Sequence, residues 1–405
     1  MPAGFTVAAR WLLTAAGPPV PHGAVTIFGG RITRVGPAAG VRVDLDCGDA
    51  VITPGFVNAH VHLDLTGARG LTPPDPTAPF PDWLGRVIAY RRSRTPGQIA
   101  ADIRAGLTEA TAAGTTTLGD IAADGASFAI LAASPIRAVV FRELIGLHPD
   151  RAAAILADAD AWLATHPPAA RCRPGLSPHA PYSVGRDLFR GAAALAARHG
   201  VGVQCHVAES SQEGELLAAH AGPFVPFLAS VGAWHPAALA PDFDWVLREL
   251  ALAPSTAIAH ATYLDPASVR PNQVVVHCPR THAAFGRPDP IAGLLAHGVR
   301  VALGTDGLTS NPDLDILAEA RFLARLPSAP LPDIVLNMLT RWGADALGLG
   351  GETGTLEVGR AADLVVTATG AAADPYAALF HGPVGARLVM AGGGWVGGPP
   401  PATTH

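Results

Sequence analysis

The hydrophobic pattern changes character twice along the chain. Residues 1 to about 52 run as short Val, Ile, Leu and Thr segments broken by Gly and Pro, the texture of strands and turns. Residues from about 354 to 396 repeat it in GTLEVGRAADLVVTATG and GARLVMAGGGWVGG. Between them, short apolar segments alternate with Ala-rich stretches of helical length. TPGQIAADIRAGLTEATAAG leads into TTTLGDI, RDLFRGAAALAARHG into VGVQCHVAE, and IAGLLAHG into VRVALGTD. Helix-then-strand units of this size imply parallel strands joined by crossover helices. The pattern predicts an α/β protein built on a (β/α)8 TIM barrel over residues 53–353. Residues 1–52 with 354–396 are expected to pair into a small β-sandwich, and 397–405 to form a flexible tail.

The first residues, MPAGFTVAARWLLTAAGPPVP, faintly imitate a secretory signal. They read better as a first strand ending in a Gly-Pro-Pro turn. GAVTIFGGRITRVGP then follows as a hairpin about Gly29-Gly30.

Composition narrows the function. Of 405 residues 49% are apolar and 15% charged, with a formal net charge of −5, so a sizeable core is easily built. There is no basic block of the kind a nucleic-acid surface needs, and no apolar run of membrane-spanning length. Cys47, Cys172, Cys205 and Cys278 are scattered without a C-x-x-C pair, which argues against a zinc ribbon or a disulfide framework. Free thiols in a reducing cytoplasm are the expectation. All 28 basic residues of the Lys-plus-Arg total are arginine. Schiff-base, phosphate-loop and carboxylated-lysine chemistry are therefore excluded.

In a barrel of this kind catalytic groups sit at the C-terminal ends of the strands. Metal-competent residues should then fall where the apolar runs end, and they do. FVNAHVH ends in His60 and His62, which share one strand face because side chains alternate. GVQCHVAE carries His206 and Glu209, TAIAHA ends in His260, and VVVHCPRTH in His277 and His282. VRVALGTDG carries Asp306, RPGLSPHAPYS carries His179, and AVVFRELIG ends near Glu143. Any one of these histidines could be a packed core or loop residue; several on one barrel mouth are harder to dismiss. His148, His166, His199, His220, His235, His297 and His381 lie in helical or loop stretches and read as bystanders. Cys205 and Cys278 adjoin strand histidines, face the other way, and read as small hydrophobes.

The motifs PGFVNAHVHLD, SPHAPYSV, HVAES, AHATYLDP, HCPRTH, LGTDGLTSN and LEVGRAADLVV, in that order, resemble the amidohydrolase superfamily in its purine and triazine deaminase/chlorohydrolase branch. The resemblance implies His60, His62, His206 and Asp306 as metal ligands. It implies Glu209 as the proton-transferring acid and His260 as the histidine that orients the attacking water. Asp306 would also pass a proton to the departing ammonia. Two-metal members of the superfamily bridge their ions with a carboxylated lysine, which this chain lacks. One divalent ion is therefore expected, zinc first and iron(II) second.

The segments HCPRTHAAFGRPDPI and FPDWLGRVIAYRR look closest to the 6-aminodeoxyfutalosine deaminases of menaquinone biosynthesis. That substrate is an adenine nucleoside bearing a benzoate, whose carboxylate needs an Arg or His partner. Arg91, Arg92, Arg142, Arg280 and His282 are candidates, with His179 and Glu143 for the nucleoside. The alternatives are a methylthioadenosine, S-adenosylhomocysteine or other aminopurine deaminase, or a triazine chlorohydrolase. A non-catalytic dihydropyrimidinase-like scaffold is disfavoured by the intact Glu209, His260 and Asp306. The expected partner is a small-molecule nucleoside, with no nucleic acid and no membrane. A homodimer would match the family's habit.

Overall fold

The computed structural model describes residues 4–383 and 385–398, so that residues 399–405 of the expected tail lie outside the described residues. In chain order the first strands are β1 (Phe5–Leu12), β2 (Val20–Phe28), β3 (Arg31–Pro37), the short β4 (Leu45–Asp46) and β5 (Ala50–Pro54). The barrel strands follow: β6 (Phe56–Val61), β7 (Thr115–Ala122), β8 (Arg137–Leu144), β9 (Cys172–Pro178), β10 (Val203–Val207), β11 (Thr256–His260), β12 (Gln273–His277) and β13 (Val301–Leu303). The chain then returns through β14 (Leu364–Ala368), β15 (Arg387–Ala391) and β16 (Gly394–Trp395).

The eight strands β6 to β13 are parallel and lie side by side in sequence order. The ring closes where Val61, at the end of β6, bridges to Asp306 just beyond β13. Gly304 is what permits that seam, since a Cβ there would lie 2.8 Å from the His60 Cβ and 2.9 Å from the His60 carbonyl oxygen. Inside the barrel, Phe141 fills the space left by Gly175, where a Cβ would meet its ring at 2.6 Å. Val57, Ile121, Val139 and Leu347 complete this inner plug. The outer faces of the strands pack against the surrounding helices in the largest apolar cluster, which contains Cys172 and Cys205. Cys205 thus points away from the His206 side of β10, as strand alternation requires. All four cysteines are free.

The terminal segments form one mixed sheet in the order β16-β15-β14-β5-β1-β2-β3, with β4 beside β1. Its inward residues, among them Val7, Val25, Ile52, Leu364 and Met390, pack into their own cluster. β1 runs from Phe5, so the opening segment is a strand as its alternation suggests. The β2–β3 hairpin turns through Gly29 and Gly30, both with positive φ (59° and 74°), the conformation that glycine adopts without strain. No helix among the described residues is long and apolar enough to cross a membrane.

Candidate active site

The barrel seam builds the site. Asn58 Nδ2 donates to Thr305 Oγ1 at 2.8 Å, and the Thr305 amide donates back to Asn58 Oδ1 at 3.0 Å. Two residues further on, the Asp306 amide donates to the His60 carbonyl at 3.0 Å. This double stitch carries His60, His62 and Asp306 to one point. His60 Nε2 and His62 Nε2 each lie 3.6 Å from Asp306 Oδ1. His206, at the end of β10, places its Nε2 3.3 Å from His62 Nε2. Asp306 holds a left-handed φ of 59° and His260 one of 72°, backbone strain of the kind kept at functional sites.

His60 and His206 are each oriented from behind. Gln204 Nε2 donates to the Ala59 carbonyl at 2.8 Å, which turns its Oε1 toward His60 Nδ1 at 2.7 Å. His60 therefore carries its proton on Nδ1 and presents a bare Nε2, an atom that is buried without a partner. His206 Nδ1 lies 2.9 Å from the His179 carbonyl and must donate to it, which bares its Nε2 as well. Asp306 accepts from the Gly307 amide at 2.8 Å through Oδ1 and from Ser310 at 3.3 Å through Oδ2. Burial pushes the Asp306 carboxyl up, yet the neighbouring His60 and the hydrogen bond from the Gly307 amide hold it below the usual range. Burial likewise lowers His206 to about 3, keeping it neutral. Lone pairs and an anion that converge in a buried space call for a cation. The set His60, His62 and His206, and the set His60, His260 and Asp306, each have ligand atoms within 4.8 Å of one another. The donor set fits a single divalent ion.

Glu209 stands beside this cluster. Its Oε1 is 3.7 Å from His260 Nε2 and accepts from Arg287 Nη1 at 3.0 Å. The Glu209 amide donates to Glu213 Oε2 at 2.9 Å, so the backbone is pinned too. Burial raises the Glu209 carboxyl, and Arg287 partly counters the rise. Such a carboxyl holds a proton more readily than a free one, as a group that must take and release one requires. His282 Nε2 approaches His260 Nδ1 at 3.3 Å, on the side of the ring away from Glu209.

A second group surrounds the opening. Arg91 pairs with Asp64 at 2.9 Å and with Glu143 at 3.1 Å, and His179 Nε2 faces Glu143 Oε1 at 3.8 Å. Of the residues expected to touch substrate, the structure gathers Arg91, Glu143 and His179 around the ligand cluster. It does not gather Arg142, Arg280 or Arg92. Arg142 alternates with Glu143 along β8, so its guanidinium turns outward to Asp158 and lies over the Trp162 ring. Arg92 is exposed at the end of helix Phe80–Arg92. Arg280 is spent on Glu319 at 2.6 Å and Asp313 at 2.7 Å. His282 is buried against His260, with its Nε2 3.3 Å from His260 Nδ1.

Arg280→Met is accordingly expected to cost about 3–5 kcal/mol of stability, because it strands the fully buried Glu319 carboxylate. KM should change by less than about twofold. Denaturant unfolding with steady-state kinetics checks this. A large KM rise in a protein of unchanged stability would show that Arg280 touches substrate after all.

Three participants escaped the sequence reading. Gln204 lies two residues before His206 and shares its strand face, a period-two signal that was available. Asp64 lies beyond the first barrel strand, in the short helix Leu63–Ala68, where strand alternation gives no signal. Arg287 carries no local signal, because a loop after helix Pro279–Ala284 brings it to Glu209.

Residues 51–396 match the amidohydrolase family. The chain belongs to that family. This amidohydrolase is similar to a 5-methylthioadenosine/S-adenosylhomocysteine deaminase of Moorella thermoacetica, with 32% identity over 376 residues, 88% of this chain and 83% of the relative. Its fold is that of Helicobacter pylori aminofutalosine deaminase, solved with methylthio-coformycin, at 22% identity and TM-score 0.84, covering 97% of this chain and all (100%) of that one. A zinc-bound adenosine deaminase of Xanthomonas campestris shares it at 24% identity and TM-score 0.78, covering 97% and 92%. The amidohydrolase lies in the deaminase and chlorohydrolase branch and is a hydrolase of carbon–nitrogen bonds other than peptide bonds. The family is metal-dependent, in keeping with the buried His and Asp groups.

Proposed function

We propose that this amidohydrolase deaminates an adenine nucleoside, with His60, His62, His206 and Asp306 holding one divalent ion. The observation that carries the reading is Glu209, a buried carboxyl set against both the ligand cluster and His260. Nitrogen-rich ligation with one carboxylate suits zinc, with iron(II) next. An ion held there supplies a water whose pKa is lowered to about 7. Glu209 takes a proton and delivers it to the ring nitrogen next to the carbon under attack. His260 orients the water and stabilises its developing charge. Asp306 receives a proton and hands it to the departing ammonia. Glu143 and His179, held by Arg91 and Ser183, offer hydrogen bonds to the nucleoside.

The finer reading is 6-aminodeoxyfutalosine as substrate, cytoplasmic and in menaquinone biosynthesis. An aromatic wall supports it: Phe80 stacks on Trp83 at 5.4 Å, and Phe285 meets both rings edge-on at 5.5 and 5.0 Å. Such a wall suits a flat, apolar extension on the nucleoside. Among the arginines expected at the carboxylate, Arg91 is the one at the opening. A second reading, methylthioadenosine or S-adenosylhomocysteine, is favoured by relatives of those names at about 30% identity.

The test is direct. Zinc-loaded protein is assayed for ammonia release and loss of adenine absorbance against adenosine, methylthioadenosine, S-adenosylhomocysteine and 6-aminodeoxyfutalosine. Preference for 6-aminodeoxyfutalosine is expected. Preference for a nucleoside without the benzoate discards the finer reading, and no turnover of any of the four discards the deaminase reading.

A further inference from the structure

Three buried or half-buried arginines, Arg91, Arg280 and Arg287, differ in their partners. Arg91 is shared by Asp64 and Glu143, and Arg280 by Asp313 and Glu319. Each bridges two carboxylates. Arg287 is different. Its side chain is 5% exposed, and among the described residues its one acidic partner is Glu209, through Nη1 at 3.0 Å, and Nη2 has no hydrogen-bond partner. The guanidinium carbon sits 4.1 Å from the Phe285 ring centre and 4.7 Å from that of Phe80. Those rings stand nearly perpendicular at 76°. Two loops, one after the first barrel strand and one after the seventh, thus fix the plane of a cation against a single carboxylate.

Both side-chain contacts of Glu209, with Arg287 and with His260, fall on Oε1. Its backbone is tied to Glu213. The carboxylate is held at one oxygen and one amide, which leaves Oε2 for the substrate.

We propose that Arg287 is a positioning residue for the proton transfer: by holding Oε1 of Glu209 it aims Oε2 at the substrate's ring nitrogen. The proposal rests on the deaminase reading above. Arg287 need not touch the nucleoside, so the ground state should bind as well without it. The proton transfer should not proceed as well, since a carboxyl free to rotate loses its alignment.

The test compares the wild type with Arg287→Met and Arg287→Lys, each zinc-loaded, on the best substrate of the panel. Methionine keeps the packing between the two rings, and lysine keeps a charge. Arg287→Met is expected to lower kcat by about 30- to 300-fold with KM within about threefold of the wild type. Arg287→Lys should recover part of that loss. Binding supplies a readout independent of turnover. Affinity for a coformycin-type tetrahedral analogue should fall along with kcat. Affinity for a 1-deazaadenine nucleoside, which has no nitrogen for Glu209 to protonate, should not change.

A rise in KM at constant kcat, or equal loss of affinity for both ligands, would assign Arg287 to substrate binding and overturn the proposal. So would Met and Lys variants with identical kcat. Should the Met variant not fold, the Lys variant and its ligand affinities decide alone. A wild type that deaminates none of the nucleosides removes the reading beneath the proposal, whereas an active wild type matched by Arg287→Met removes only the proposal.

Discussion

Glu209→Gln is expected to leave a folded, metal-loaded protein whose kcat is lower by about 10²–10⁴-fold, the usual worth of a positioned acid–base group. The amide has the same shape as the carboxyl, and its oxygen can still accept from Arg287 Nη1, so the architecture around Oε1 persists. It cannot carry a proton between water and ring. Burial raises the Glu209 carboxyl while Arg287 restrains it, and that balance suits a group which changes protonation twice per turnover. Metal content, unfolding midpoint and steady-state ammonia release on the variant decide the matter. Activity within about tenfold of the wild type would remove Glu209 from the proton path.

Stripping the metal should have the second-largest effect, abolishing turnover and lowering stability together. His62 Nε2 and His206 Nε2 face each other at 3.3 Å, and His60 Nε2 and His62 Nε2 each lie 3.6 Å from the Asp306 carboxylate, so these donors need a cation between them. After chelation a proton would have to supply the lost charge, and the nearby Asp306 carboxylate favours a charged His60 against the opposing pull of burial. An ion present at 100 to 1,000 times its dissociation constant contributes about 2.7–4.1 kcal/mol. Thermal unfolding before and after chelation should show a drop of that order, reversed by zinc. Asp306→Ala should show little further drop on chelation. A chelated protein that keeps both its midpoint and its activity would refute the four-ligand site.

The barrel was legible because its strands are short apolar runs and its helices Ala-rich, so the two periods separate cleanly along the chain. His60 and His62 were legible because two residues apart on a strand means one face. The same logic reached His206, His260 and Asp306, which lie at the ends of other strands. It failed for the arginines. Arg142 sits one position from Glu143, and a single step along β8 reverses the face. Arg280 follows β12 closely, yet its charge is claimed by Glu319 and Asp313, residues 39 and 33 positions away. Ion pairing over such spans leaves no trace in local pattern. Arg287 is the converse case, a loop residue drawn inward by two phenyl rings whose meeting only the folded barrel arranges.

The stitch between Asn58 and Thr305 spans 247 positions, and it sets an order of events during synthesis. His60 and His62 leave the ribosome early, with neither His206 nor Asp306 yet made. At about 5–20 residues per second, roughly 12–50 s pass before the last ligand appears. In that interval the nascent chain offers two of these imidazoles and then, once His206 is made, three, without the carboxylate. The full coordination set exists only when the eighth strand docks against the first. On the proposed ligand set, metal acquisition would be a late step that follows ring closure, and a bound ion would serve as a record that the barrel has been completed.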